Sequence, residues 1–176
     1  MIGYVTGDAT HPVGEGPKII AHVCNDYGGW GSGFVLALNK RWADPMNAYR
    51  IWAMMRISED GTPFALGESQ YVPVRDYGNR LEEPLVVANM IAQHGNSTPT
   101  YRAVDYDALR RCLHNLAGAA WFAGATVHMP RIGCGLGGGD WETVSAIIED
   151  EINRIPVYVY DLPGLTTPPR SGTVAV

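Results

Sequence analysis

With 176 residues, 46% of them hydrophobic and 18% charged, the chain is long enough to bury one sizeable core and lacks the charge excess of a disordered segment. Its net charge of -5 at pH 7 argues against a strong nucleic-acid surface, although backbone amides can hold a nucleotide's phosphates with no lysine at all. Cys24, Cys112 and Cys134 are odd in number and lack metal-ligand spacing, and no apolar run reaches membrane-spanning length, so a cytoplasmic monomer without disulfides, metal, cofactor or membrane partner is expected.

In chain order, residues 1–6 read as a short strand, followed by Gly7-Asp8-Ala9-Thr10 and a loop rich in Pro and Gly. Asp8 stands just past the strand end, where aspartate commonly closes an Asx-turn. Residues 18–24 (KIIAHVC) are nearly continuous in apolar character, as expected of a strand covered on both faces of an α/β sheet, and His22 within it is expected to hydrogen-bond in the core. The strand runs into Asn25-Asp26-Tyr27-Gly28-Gly29-Trp30-Gly31-Ser32-Gly33, after which Phe34, Leu38 and Trp42 fall at helical spacing. Pro45 breaks or restarts that helix, and residues 46–57 continue it.

Residues 58–63 read as a turn, 66–74 as a strand, 76–84 as a polar hairpin loop and 85–92 (LVVANMIA) as a second buried strand. Its polar end, Gln93-His94-Gly95-Asn96-Ser97, brings Gln93 and His94 to the same sheet edge. Residues 104–122 form the longest helix, with Leu109, Leu113, Leu116 and Ala120 on one stripe. A strand over 125–132 ends in a segment with glycine at five of seven positions, Gly133 to Gly139; a helix over 141–154 and a strand over 157–162 (VYVYDL) follow. Residues 163–176 show no periodicity and read as a flexible tail beyond one domain of residues 1–162.

Strands alternating with helices imply a three-layer α/β/α sandwich with a mixed central sheet, whose strand ends share one rim. Two of those ends carry a glycine loop leading into a helix. Glycine can take φ > 0 and has no Cβ, so such a loop can lay its N–H groups against an anion, next to the positive end of a helix. Two loops of this design could face each other across one phosphate group. A P-loop (G-x-x-x-x-G-K-[ST]) and a G-x-S-x-G elbow are both lacking. Gly133 to Gly138 does match G-x-G-x-x-G, but only one further strand follows, which leaves no room for a doubly wound dehydrogenase.

The segments GDAT (7–10), IAHVCNDYGGWGSGFV (20–35), MPRIGCGLGGGDWETV (129–144) and VYVYDL together resemble the macrodomain family, most of all its branch of terminal ADP-ribose protein glycohydrolases and chromatin-remodeller macrodomains. The resemblance implies that Asp8, with Ala9 beside it, takes the adenine amino group. It further implies that Gly29, Trp30, Gly31, Ser32, Gly33 and Phe34, with Gly133, Cys134, Gly135, Leu136, Gly137 and Gly138, cradle the diphosphate. By the same comparison Asn25 approaches the distal ribose, and Tyr160 and Asp161 lie near the adenosine half.

The glycohydrolases of that branch use a lysine after the strand matching 85–92 and an aspartate directly after GCGL. Here those places hold Gln93-His94 and Gly137, so a covalent lysine route is not expected. Asp140, Gln93 and Asn25 are the candidate catalytic residues: Asp140 to orient a water, Gln93 to hold ribose hydroxyls or the leaving group. Asp140 reads equally as the N-cap of the helix that follows. The expected partner is ADP-ribose or an ADP-ribosylated macromolecule, and the expected activity is hydrolysis of mono-ADP-ribose from a protein or nucleic acid. A reader that turns nothing over and an ADP-ribose 1''-phosphate phosphatase are the alternatives.

Overall fold

The alternating apolar segments assemble into one mixed sheet, as a computed structural model that describes residues 2–75 and 84–164 shows. Its strands are β1 (Ile2–Thr6), β2 (Lys18–Asn25), β3 (Ser69–Val74), β4 (Leu85–Gln93), β5 (Thr126–Pro130) and β6 (Val157–Asp161), in the spatial order β1-β6-β5-β2-β4-β3. All neighbours run parallel except β3, which pairs antiparallel with β4 at one edge. Pro73 is tolerated in that edge strand, where one side of the ladder needs no donor.

The period of two decides which helices cover which face. Ile19 and Ala21 of β2, with Ala88, Met90 and Ala92 of β4, pack against α3 (Tyr106–Ala123) and α4 (Trp141–Glu151). The residues between them, Ile20 and Cys24 of β2 and Val87 and Ile91 of β4, face α1 (Phe34–Arg41) and α2 (Asp44–Met55). The result is the expected three-layer α/β/α sandwich. Trp52 and Tyr49 of α2 are fully buried, and each such side chain contributes about 1.5–3 kcal/mol through burial.

Element ends follow local chemistry. The helix over 46–57 begins two residues early, at Asp44, because Pro45 suits the first turn, and stops at Arg56 in the left-handed conformation. Asp105 caps α3 by accepting the Ala108 N–H at 2.8 Å, and Gly124 closes it with φ 60°. β5 is shorter than residues 125–132 because pairing with β6 ends at Pro130 opposite Tyr160. β3 starts only at Ser69, after a turn through Gly67, and α4 ends at Glu151 with Ile152 as its cap. Most of the expected hairpin loop (76–83) and most of the tail (165–176) lie outside the described residues. Among the described residues no helix is long and apolar enough to cross a membrane.

Candidate functional site

Because β1, β2, β4, β5 and β6 run parallel, the loops after them open on one rim. They enclose a cavity of about 1030 Å³, at the upper end of the range for small-molecule sites. Both glycine loops line it. Gly29, Trp30, Gly31, Ser32, Gly33 and Phe34 form one wall; Gly133, Gly135, Leu136 and Gly137 form the other. A Cβ built on Gly33 would stand 3.8 Å from Cδ1 of Leu136, so the loops meet across the cleft.

The first loop is shaped by one side chain. The register of β2 against β4 shifts between Cys24 and Asn25, so Asn25 pairs with Gln93 and ends the strand where the loop begins. Its Oδ1 accepts from the N–H groups of Tyr27 (3.2 Å) and Gly29 (2.9 Å), its Nδ2 donates to Gly29 O at 2.8 Å, and the Tyr49 hydroxyl donates to the Asn25 backbone O at 2.5 Å. The loop is thereby folded back on itself. Among the described residues no acceptor reaches the N–H of Gly31, Ser32 or Gly33, and Gly33, with φ 78°, begins α1 without any side-chain cap. These donors and the positive end of α1 face the cavity together.

The second loop braces itself through backbone. Gly139 N–H donates to Gly133 O at 2.8 Å and Gly138 N–H to Gly135 O at 3.0 Å. Gly137 O and Leu136 O accept from the N–H groups of Val104 and Ser97, in the loop after β4. Gly133 and Gly138 hold φ of 70° and 66°, and a Cβ at Gly137 would come within 2.5 Å of Gly133 O, so the turn admits no side chain there. Among the described residues the N–H groups of Gly135, Leu136 and Gly137 find no acceptor in the protein.

At one end, Asp8 Oδ1 closes an Asx-turn by accepting Thr10 N–H at 2.9 Å, and Asp8 and Ala9 line the cavity with Gly7 and Tyr160. The Tyr160 hydroxyl accepts Val13 N–H and pairs with His128 Nδ1, both at 2.9 Å, while His128 Nε2 pairs with the Thr126 hydroxyl at 2.8 Å. Burial, then the nearby Lys18 charge, push the His128 pKa down to about 4. At the other end stand Asn25, Gln93 and Asn96. Gln93 Nε2 is used by Gly95 O (2.6 Å) and Asn96 Oδ1 (3.4 Å), and among the described residues no donor reaches its Oε1.

The floor between them includes His22, which, as expected, is a core histidine: Nε2 lies 2.7 Å from Asn89 Oδ1, the ring meets Trp30 edge-on at 5.3 Å, and burial lowers its pKa to about 4.

Four candidates sit elsewhere. Asp140 is exposed and outside the cavity lining; its carboxylate caps α4, accepting from Thr143 N–H at 2.9 Å and the Thr143 hydroxyl at 3.0 Å. Asp161 is committed to a two-pronged pair with Arg131 at 2.6 and 2.7 Å, and the guanidinium is further packed against the rings of Tyr4 and Trp141. Cys134 points into packing against the α3–α4 side, where burial raises its thiol pKa to about 11. Gly138 shapes the turn, facing Ser97 and outside the lining. Asn25, expected as a catalytic group, spends its side chain on the loop. The sequence reading missed Asn96, Tyr27, Lys40 and Arg131 as lining residues.

Fold and cleft together define an α/β domain with two sets of backbone donors, suited to an anion, at a sheet's carboxyl edge. No family model matches the sequence. The chain is nevertheless 47% identical to a macrodomain protein from Streptomyces coelicolor, with a TM-score of 0.75, the match covering 92% of this chain and 99% of that one. It therefore belongs to the macrodomain family.

It is also 34% identical over 166 residues to the mouse chromodomain-helicase-DNA-binding protein 1-like; the match takes in 92% of this chain but only 18% of that protein's length. An ADP-ribose 1''-phosphate phosphatase from Candida albicans is 27% identical, over 90% of this chain and 99% of its own.

Proposed function

We propose that this macrodomain binds ADP-ribose along the cleft and hydrolyses mono-ADP-ribose from a modified protein or nucleic acid, without a metal or cofactor. The observation that carries the reading is the meeting of the two glycine loops over one cavity, at Gly33 and Leu136. A diphosphate between them would receive the N–H groups of Gly31, Ser32 and Gly33 from one side and Gly135, Leu136 and Gly137 from the other. These are charge-assisted hydrogen bonds, aided by the α1 dipole. The adenine amino group would donate to Asp8, with Tyr160 beside it, and the distal ribose would lie against the Asn25 backbone, Gln93 and Asn96.

Cleavage at the anomeric carbon passes through an oxocarbenium-like state that needs a water in line. Gln93 is the residue best prepared to help hold it. Its Nε2 is anchored on Gly95, so its Oε1 is fixed in place and can accept from the water or from a ribose hydroxyl. Among the described residues no group of three or more His, Cys, Asp or Glu is placed to hold a metal ion.

The relationship to the Candida phosphatase favours a second reading, in which the same cleft presents a 1''-phosphate to the same water. One experiment separates the readings: incubation with auto-modified transferase and with ADP-ribose 1''-phosphate, followed by release of ADP-ribose or phosphate. Release of ADP-ribose from the macromolecule is expected. Release of phosphate alone would replace the first reading by the second. Tight calorimetric binding with no release would leave a reader.

A further inference from the structure

Besides Tyr27 and Lys40, the proton-bearing side chains of the cavity lining are buried or committed elsewhere. His22 is neutral and buried, the Tyr160 hydroxyl is spent on His128, and Arg131 is clasped by Asp161. Next to the Gln93 end, however, Asp26 and His94 meet from two different loops. Asp26 N–H donates to Gln93 O at 3.0 Å, His94 N–H donates to Ala103 O at 2.9 Å, and the Tyr101 hydroxyl donates to His94 O at 2.9 Å, so both backbones are tied down. His94 Nδ1 lies 2.6 Å from Asp26 Oδ2.

A carboxylate can only accept, so Nδ1 carries a hydrogen and Nε2 is the nitrogen left for a ligand. The imidazole is 70% exposed and the carboxylate 22%, so the ring stands in front and its orienting acid behind. Four neighbours in sequence, Asn25, Tyr27, Gln93 and Asn96, line the cavity. Neither residue of the pair is itself in the lining; the pair sits at the cavity's edge, tied to Gln93 by the Asp26 N–H, on the side where the acceptor of an ADP-ribosyl group held as proposed above would emerge.

We propose that His94, oriented by Asp26, protonates the departing acceptor atom, which suits the site to acceptors that cannot leave as anions, such as the alkoxide of a modified serine. The proposal rests on the hydrolase reading and deepens it. The water oxygen bonds to the anomeric carbon as the bond to the acceptor breaks. The electron pair goes to the acceptor atom, Nε2–H supplies its proton, and the proton shed by the water recharges the imidazole. Water is the sole co-reactant. The hydrogen bond to Asp26, and then its charge, raise the His94 pKa above the usual histidine range, which favours the charged ring that such a step uses. Asp26 is the positioning residue.

The test compares two substrates of the whole protein: a serine-linked ADP-ribosyl peptide, and ADP-ribose joined at the same carbon to 4-nitrophenol, which leaves as a stable anion. His94→Asn is expected to lower kcat on the peptide about 100-fold while changing the nitrophenol substrate and ADP-ribose affinity by less than about threefold. Asp26→Asn should show the same split with a smaller loss. Equal losses on both substrates would mark the pair as a structural clasp and overturn the proposal. So would undiminished peptide cleavage, or a wild type that cleaves only adducts whose acceptor leaves unaided. Loss of ADP-ribose binding by the wild type itself would instead remove the reading beneath it.

Discussion

The two glycine loops look alike in sequence and are built on opposite plans. The loop after β2 is held by a side chain, the Asn25 amide, and ends in a helix whose first turn has no side-chain cap. The loop after β5 is held by its own backbone and ends in a helix already capped by the Asp140 carboxylate. A helix N-terminus can serve its own cap or an outside anion, and the same donors cannot do both. The first loop therefore offers a ligand both amides and a helix dipole. The second offers amides alone, from a turn that its Gly133 and Gly138 conformations keep fixed.

The comparison is broken most directly by putting a negative charge in each loop. A Cβ at Gly31 or Gly135 meets nothing within 4 Å, so Gly31→Glu and Gly135→Glu are expected to fold normally. Each should lower ADP-ribose affinity by more than about 100-fold in calorimetry, since the carboxylate occupies the diphosphate position. Gly31→Glu should be the worse, because it also opposes the α1 terminus. If either variant binds as wild type, that loop does not touch the diphosphate.

Removing the brace sharpens the contrast. Asn25→Ala takes away the hydrogen bonds to Tyr27 and Gly29 at once, and leaves the partly buried Gly29 N–H without an acceptor. A loss of roughly 2–3 kcal/mol in stability is expected, with affinity falling about tenfold as the first loop loosens, read from chemical denaturation and calorimetry. No side chain in the second loop has an equivalent role, so Cys134→Ser should cost less on both measures.

Two buried imidazoles, one in the floor of the cleft and one behind Tyr160, predict a pH dependence. His22 and His128 both have folded-state pKa values lowered to about 4, against an unfolded value of 6.5. Between those values the unfolded chain binds more protons than the folded one, so stability is complete above about pH 6.5 and falls as pH drops toward 4. Each ring accounts for on the order of 2 kcal/mol across that window. His128→Gln should flatten part of the decline in Tm between pH 6.5 and 4; an unchanged slope would mean that the ring is not kept neutral by burial.

Much of the fold was legible because its signals are local. The continuous apolar runs in β2 and β4 announce strands covered on both faces, and glycine at Gly133 and Gly138 announces left-handed backbone. What escaped needed knowledge of sheet order. Arg131 and Asp161 are thirty residues apart and meet only because Pro130 of β5 pairs with Tyr160 of β6, which sets the next residue of each strand side by side. Asn96, Tyr27 and Lys40 reach the cleft through loop paths and a helix face that composition does not encode. Asp26 and His94 were each visible beside a strand end, but their pairing depends on β2 and β4 being neighbours.

Asp140 was legible both ways, and it marks the finest distinction between the loops. An aspartate three residues before Thr143 at a helix start is a capping pattern, and the carboxylate takes both the N–H and the hydroxyl of Thr143. Asp140→Ala should then cost about 1 kcal/mol, seen as a small drop in Tm, with ADP-ribose affinity and turnover changed by less than about twofold. A loss of turnover by more than about tenfold at unchanged stability would return Asp140 to the chemistry. It would also mean that the carboxylate leaves Thr143 when substrate enters, turning the donors of α4 toward the ligand, and the two loops would then work alike after all.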